Sequence, residues 1–202
     1  MEFNIKLIFS IVAILLAIIG FVPYIALILR GQVKPHVFSW VIWGITTTII
    51  FFAQLEAEGG VGAWPIGLSG VVTIFIAILA YLKRSDATIT TLDWGFLVVA
   101  LASLPLWYIT NDPLWTVVIL TTVDMIGFGP TFRKAYHRPF EDSRVFFMIM
   151  ILRNACSVVA LEAYSVTTVL FPFCLAVGFV ILLVILQHRR IALSQQATIG
   201  IR

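Results

Sequence analysis

The chain has 202 residues, of which 61% are hydrophobic and 11% are charged, and its mean hydropathy is +1.06. This is more apolar surface than a water-soluble domain of this length can bury, so the composition excludes a soluble fold and predicts an integral membrane protein. We interpret the formal net charge of +3 as a topology signal and expect the lipid bilayer, and no nucleic acid, as a partner.

Seven apolar runs follow one another along the chain, each about as long as a helix that crosses ~30 Å of hydrocarbon. The first run follows Lys6 in the manner of a secretory signal. It is too long for one and has no small-x-small cleavage site, so we expect a retained transmembrane helix. The seven runs cover residues 5–29, 37–55, 61–82, 92–110, 113–132, 145–163 and 165–187.

The positions of Lys and Arg predict the orientation of the chain. They collect in the first, third and fifth loops and after the seventh run, whereas the opposite face has Lys6 and several acidic residues. The odd-numbered loops and the C-terminus are therefore predicted to be cytoplasmic and the N-terminus outside. We expect a bacterial inner (plasma) membrane.

An internal repeat relates the first three runs to the last three. The phrase Ile-Gly-Phe at residue 19 recurs at residue 126, and the same offset of 107 residues relates Trp64 to Phe171 and Lys83 to Arg190. Glycine, proline and basic landmarks in one register indicate a duplication. A unit of three crossings needs one extra crossing to keep its copy parallel. We therefore predict an all-α membrane protein with seven transmembrane helices: a three-helix repeat at 1–84, a linker helix at 85–112, a second repeat at 113–190 and a cytoplasmic tail at 191–202.

This plan resembles the SWEET and PQ-loop transporter family, in a divergent bacterial-type branch. The resemblance is carried by the N-out, C-in 3+1+3 plan and by Pro23 and Pro130 near the inner end of the first helix of each repeat. It implies alternating access around a site at the repeat interface near the midplane. The chain departs from the family because Tyr24 and Thr131 replace the glutamine of the PQ dipeptide. The third helices, WPIGLSGVV and FPFCLAVGF, also have no asparagine of the sugar-transporting members, which argues against a sugar substrate.

Glycine and proline in the repeated phrase predict a bending point in each repeat, formed by Gly20 with Pro23 and by Gly127 with Pro130. A proline inside a helix removes one backbone hydrogen bond and kinks the helix, and glycine allows close approach of backbones. Our hypothesis is a pair of hinges that open an inward gate. The alternative is kinked packing without motion.

Two charged residues, Asp124 and Arg153, fall inside the predicted hydrocarbon region. Each lies nine residues from the arginine at the inner end of its span, Arg133 for Asp124 and Arg144 for Arg153, a depth of ~13 Å at 1.5 Å per residue. An unpaired charge near the bilayer centre costs roughly 2.5–3.5 kcal/mol or more. We therefore predict that the two residues pair directly or share one polar ligand. The pair would be a structural salt bridge or part of a substrate site.

Polar and aromatic residues on the second and sixth helices complete the predicted binding site. Trp40, Trp43 and Thr47 share one helical face, and Asn154 and Ser157 form its counterpart in the other repeat. Aromatic walls with a few placed polar groups suit a small molecule. The alternative puts Trp40 in the interfacial aromatic belt and Trp43 in helix packing.

These patterns predict a transporter of a small polar solute, which is zwitterionic or ionisable or is coupled to protons. Glu162, near the outer end of the sixth span, either exchanges protons or is an interfacial acid. We expect no metal, because the three histidines are separated in sequence, and no cofactor. The lack of HExxH, GxSxG and paired intramembrane acids argues against an enzyme. A receptor or sensor, a membrane-complex subunit without transport, and a homo-oligomer stay open.

Overall fold

The computed structural model describes residues 2–33, 35, 37–83, 91–137, 139–140 and 143–199. These residues form seven α-helices and one 3₁₀ turn, with no β-strand among them. The predicted boundary between the first repeat and the linker, at residues 84 and 85, lies outside the described residues, as do residues 200–202 of the predicted tail. The helices are α1 (Glu2–Leu29), α2 (Val37–Glu56), α3 (Trp64–Leu82), α4 (Thr91–Thr110), α5 (Pro113–His137), α6 (Arg144–Val159) and α7 (Val166–Ile199), and the 3₁₀ turn is Gly60–Gly62.

Length and composition make this a membrane protein. Three helical segments, Ile5–Leu29, Gly60–Leu82 and Val166–Gln195, are long and apolar enough to cross a bilayer, and two shorter apolar helices span Trp40–Glu56 and Pro113–Phe128. Each of the seven apolar runs found in the sequence overlaps one α-helix, although the third run begins in the 3₁₀ turn and the sixth extends beyond the end of α6.

Several helix ends differ from those that hydropathy predicts. α5 continues beyond residue 132 to His137, and α7 continues beyond residue 187 to Ile199. Hydropathy marks only the apolar part of a helix, whereas the backbone hydrogen bonds continue through the polar residues that follow. α6 ends earlier than predicted, at Val159 instead of residue 163, because residues 160–165 form the connection to α7.

Six helices contact one another in a closed ring, in the order α1, α3, α2, α5, α7 and α6, and we refer to α1–α3 and α5–α7 as the two groups. α3 contacts both α1 and α2, and α7 contacts both α5 and α6, so the third helix of each group lies between the other two. Between the groups, α1 packs against α6 and α2 packs against α5. α4 packs against α5 and α2.

Apolar side chains fill the contacts between the two groups. Ile50 of α2 belongs to a buried cluster with Val117 of α5 and Phe171 of α7. Phe21 of α1 is buried in a second cluster with Met150 of α6. In a membrane such side-chain packing, together with hydrogen bonds between helices, holds helices to one another.

The two ends of the bundle differ in chemistry. We call the end formed by residues 57–63 and 160–165 the glycine end, and the opposite end, formed by residues 30–33, 136–137, 139–140 and 187–190, the basic end. α2 ends at the glycine end in a Schellman motif: Glu58 has φ +57°, and the amide of Gly59 donates to the carbonyl of Gln54 at 2.8 Å. At the basic end, Arg189 lies 4.1 Å from the ring centroid of Tyr136.

Candidate functional site

Asp124 lies at the contact between the two groups of helices. Its side chain on α5 is 2% exposed. The hydroxyl of Thr46, in the middle of α2, lies 3.0 Å from Asp124 Oδ1 and donates to it. The same hydroxyl lies 3.1 Å from the carbonyl oxygen of Trp43, one turn earlier, as is common for threonine in a helix. Among the residues that the structure describes, the carboxyl group is thus held by one neutral donor, which belongs to the other group.

Arg153 joins α6 to the beginning of α3. Its side chain is 3% exposed. Nη1 donates to Asn154 Oδ1 at 2.8 Å, and Nη2 donates to Ser69 Oγ at 2.6 Å and to the carbonyl oxygen of Pro65. Nε is buried and has no partner within the described part of the chain. All the acceptors are neutral, so this guanidinium is solvated by dipoles of its own protein.

The structure shows no direct pair of Asp124 and Arg153 among the described residues, and the alternative that the two share one polar ligand stays a prediction. Among the described contacts, Asp124 is bonded to Thr46 and Arg153 to α3 and Asn154. The two residues were predicted to lie at equal depth because the fifth span was expected to end at Arg133. α5 instead continues to His137, so Asp124 lies 13 residues before its end, whereas Arg153 lies nine residues after the start of α6. Arg153 also reaches towards the glycine end, where α3 begins, and so lies nearer that end than Asp124.

Asn154 and Ser157, predicted as polar contacts of the site, are both buried and bonded to the protein. Asn154 accepts from Arg153, and its Nδ2 donates to the carbonyl oxygen of Met150 at 2.8 Å. Ser157 donates to the carbonyl oxygen of Gly62 at 3.4 Å. Asn154 therefore orients Arg153, and Ser157 connects α6 to the glycine end.

Aromatic rings continue from the Asp124 level towards the basic end. Trp43 is half-buried, and its ring lies edge-on to that of Trp40 at 5.7 Å. Trp40 stacks on Tyr24 of α1 at 5.4 Å, and Tyr24 stacks on Phe146 of α6 at 5.1 Å. A Cβ built on Gly127 of α5 would lie 3.4 Å from Trp43 Nε1, so the indole faces α5 one turn from the Thr46–Asp124 contact.

Thr47, the remaining predicted site residue on α2, is buried, with 7% of its side chain exposed. Gln54, two helical turns further along α2, is fully buried, and its amide nitrogen donates to the carbonyl oxygen of Thr168 on α7 at 2.6 Å. The face of α2 that was predicted to point towards the other repeat thus contacts α5 at Trp43 and α7 at Gln54.

The predicted hinge residues occupy continuous helices. α1 passes through Pro23 without ending, and the range of α5 includes Pro130. The side chain of Pro130 lies outside the described residues, whereas Pro23 is exposed. Gly20 is buried, and a Cβ there would overlap the terminal methyl group of Met150. Gly20 therefore permits the close contact of α1 with α6.

Sequence reasoning missed Thr46, Ser69 and the carbonyl group of Pro65 as partners of the buried charges. A threonine in a helix commonly bonds its own backbone, so Thr46 gave no sign of a second partner. The internal repeat could have pointed to Thr46, because the offset of 107 residues relates Thr46 to Arg153. The partner of Asp124 is thus the repeat equivalent of the other buried charge.

No group of three or more His, Cys, Asp and Glu residues could hold a metal ion among the residues that the structure describes. Cys156 is buried and Cys174 is half-buried, and both are free thiols. The structure instead places a carboxyl group at the contact of α5 with α2, an aromatic wall on α2 and a fixed guanidinium at the contact of α6 with α3. Such groups bind and orient a small polar solute.

Comparisons of the chain with protein-family models, with curated proteins and with solved structures find no match.

Proposed function

We propose that the protein is a membrane transporter that moves a small polar or zwitterionic solute by alternating access between two three-helix bundles. The observation that carries this proposal is Asp124, a carboxyl group buried at the contact between the bundles and bonded there to one neutral hydroxyl. Buried ionisable groups in membrane helices are costly and usually belong to substrate, ion or proton pathways.

The helix contacts support a 3+1+3 organisation in parallel repeats. The contacts within one group have equivalents in the other: α1 packs against α3 as α5 packs against α7, and α2 packs against α3 as α6 packs against α7. Between the groups, α1 packs against α6, and their equivalents α5 and α2 also pack against each other. This pattern fits a pseudo-two-fold axis along the membrane normal, as in the SWEET and PQ-loop family that the sequence resembles. With the basic end in the cytoplasm, the glycine end faces outwards, and the host membrane is a bacterial plasma membrane.

The chemistry of the interface favours an ionisable solute over a neutral one. An ionised carboxylate is costly to bury beside a single neutral donor, so Asp124 is a position where a proton, or the cationic group of a solute, would bind. Trp43 and Trp40 provide apolar faces beside it. Gly20 with Pro23 and Gly127 with Pro130 supply the bending points of the cycle, one pair in each bundle.

The test is uptake into liposomes that contain the purified protein. Zwitterionic amino acids, small amines and neutral sugars are offered with and without a proton gradient. We expect uptake of an ionisable solute, and we expect Asp124→Asn to abolish it while the protein still folds. Glu56→Gln, which removes an exposed acid from α2, is the matched control.

Undiminished uptake by Asp124→Asn would remove Asp124 from the mechanism. Saturable binding of a solute without flux would instead favour a receptor or sensor.

A further inference from the structure

The glycine end is where the two bundles close on each other through their connections. The amide of Glu162, in the α6–α7 connection, donates to the carbonyl oxygen of Gly59 at 3.2 Å. Lys6 of α1 donates to the carbonyl oxygen of Glu162 at 3.1 Å. A Cβ on Gly62 would lie 2.6 Å from the backbone nitrogen of Leu161. The two connections are therefore in backbone contact.

The Glu162 carboxylate occupies a concave backbone segment of the first bundle. Glu58, Gly59 and Gly60 have φ of +57°, −63° and +58°. Such alternation makes a concave backbone segment, which we call the nest. The amides of Glu58 and Gly59 donate to the α2 carbonyl groups of Leu55 and Gln54. The amide of Val61 donates to Glu162 Oε1 at 3.1 Å.

Gly60 is required by both space and conformation. Its positive φ favours glycine, and a Cβ there would overlap the carboxyl group of Glu162. The absence of a side chain at this position lets the carboxylate approach the backbone of the other bundle.

We propose that Glu162 is a removable latch that holds the glycine end closed, and that its carboxylate leaves the nest when this end opens in the cycle proposed above, on which this inference rests. The latch is suited to release because Glu162 is exposed, so water can solvate the carboxylate as it leaves. Ser157, only 1% exposed, lies directly behind the latch through its bond to Gly62. Opening therefore brings water to Ser157.

The labelling experiment follows solvent entry behind the latch. Ser157→Cys is introduced into a chain whose native thiols are removed by Cys156→Ala and Cys174→Ala, and its reaction with a membrane-impermeant maleimide is timed in liposomes. Glu162→Ala removes the carboxylate. Glu162→Asp keeps the charge but shortens the reach. Each should raise the labelling rate roughly tenfold, as expected for the loss of one charge-assisted hydrogen bond.

Glu56→Gln is the matched control, because it removes an exposed charge at the end of α2 without changing the nest or the contact of Glu162, and it should label at the reference rate. Glu162→Gln keeps an acceptor for Val61 and should give a smaller increase than Glu162→Ala. Size-exclusion profiles and unfolding temperatures identify variants that misfold. Glu162→Asp removes only one methylene group, so it replaces Glu162→Ala in the labelling experiment if Glu162→Ala does not fold.

Uptake is measured separately, in the otherwise unaltered chain with and without the Glu162 substitutions. Reference-rate labelling in both Glu162→Ala and Glu162→Asp would overturn the latch, even if the unaltered chain transports. Faster labelling in a chain that transports no solute would overturn the proposed function and leave the latch as a structural closure.

Discussion

Thr46 of α2 donates to the carboxylate of Asp124 of α5 across the contact between the two bundles, at 3.0 Å. Both side chains are buried, at 0% and 2% exposure. Thr46→Val removes the donor with little change of shape and leaves the carboxyl group without it. We expect a loss of about 1–2 kcal/mol in the free energy of unfolding, measured in mixed micelles with increasing denaturing detergent.

Two further variants calibrate that measurement. Thr46→Ser keeps the hydroxyl and should retain most of the stability. Thr48→Val removes a hydroxyl that bonds the carbonyl oxygen of Gly44 in its own helix, so its effect should be small. Equal losses in Thr46→Val and Thr48→Val would mean that the bond to Asp124 contributes nothing.

Double-mutant cycles separate the two buried charges. Asp124 and Arg153 have different partners, so Asp124→Asn and Arg153→Met should be additive in stability to within about 0.5 kcal/mol. Thr46→Val and Asp124→Ala remove the two sides of one bond and should depart from additivity by about 1 kcal/mol. Strong coupling between Asp124 and Arg153 would contradict the separation that the structure describes.

The glycines predict a graded series of alanine substitutions, checked by unfolding temperature and size-exclusion profile. Gly62→Ala should be the most damaging, because the new methyl group meets the backbone of Leu161 at 2.6 Å. Gly20→Ala should be milder, since the overlapping atom is the mobile end of Met150. Gly95→Ala, on α4, has no neighbouring atom within 4 Å of its Cβ and should cause no loss.

Trp43 is predicted to contact the solute. Once a transported solute is known, Trp43→Ala should weaken its binding by about tenfold, because an indole face contributes roughly 0.5–2 kcal/mol to holding a cationic group. Trp115→Ala, which removes an indole with 54% exposure at the start of α5, is the control. Binding is followed by isothermal titration calorimetry. Unchanged affinity in Trp43→Ala would remove this residue from the site.

The positions of the helices were largely predictable from sequence. In a bilayer the backbone of a long apolar run must satisfy its own hydrogen bonds, and an α-helix does so within one segment. The polar ends were not predictable in the same way. Residues 133–137 continue α5 and residues 188–199 continue α7, although their hydropathy does not indicate membrane crossing. Residues 160–163 are apolar enough to extend α6 but form a connection, because Glu162 binds the backbone of the other bundle.

The burial of Asp124, Arg153, Asn154 and Ser157 was also predictable, since polar groups in membrane helices face the protein interior. Their partners were not, because hydrophobic patterns place a residue on a face without fixing how far one helix slides along another. A helix extension of four residues shifts a side chain by ~6 Å. A difference of this size separates a bond between Arg153 and α3 from one between Arg153 and Asp124.

Arg153 and Asp124 lie at different heights along the helices, so the charge of the interface changes along its length. Arg153 lies six residues before the end of α6 at the glycine end, and Thr46, the partner of Asp124, lies ten residues before the corresponding end of α2. Counted from these two helix ends, the two residues differ by four residues, about 6 Å of helix rise. In the transport cycle proposed above, a dipolar molecule between the bundles would be aligned lengthwise, with its anionic group towards Arg153. Its two poles would then meet Arg153 and Asp124 one after the other.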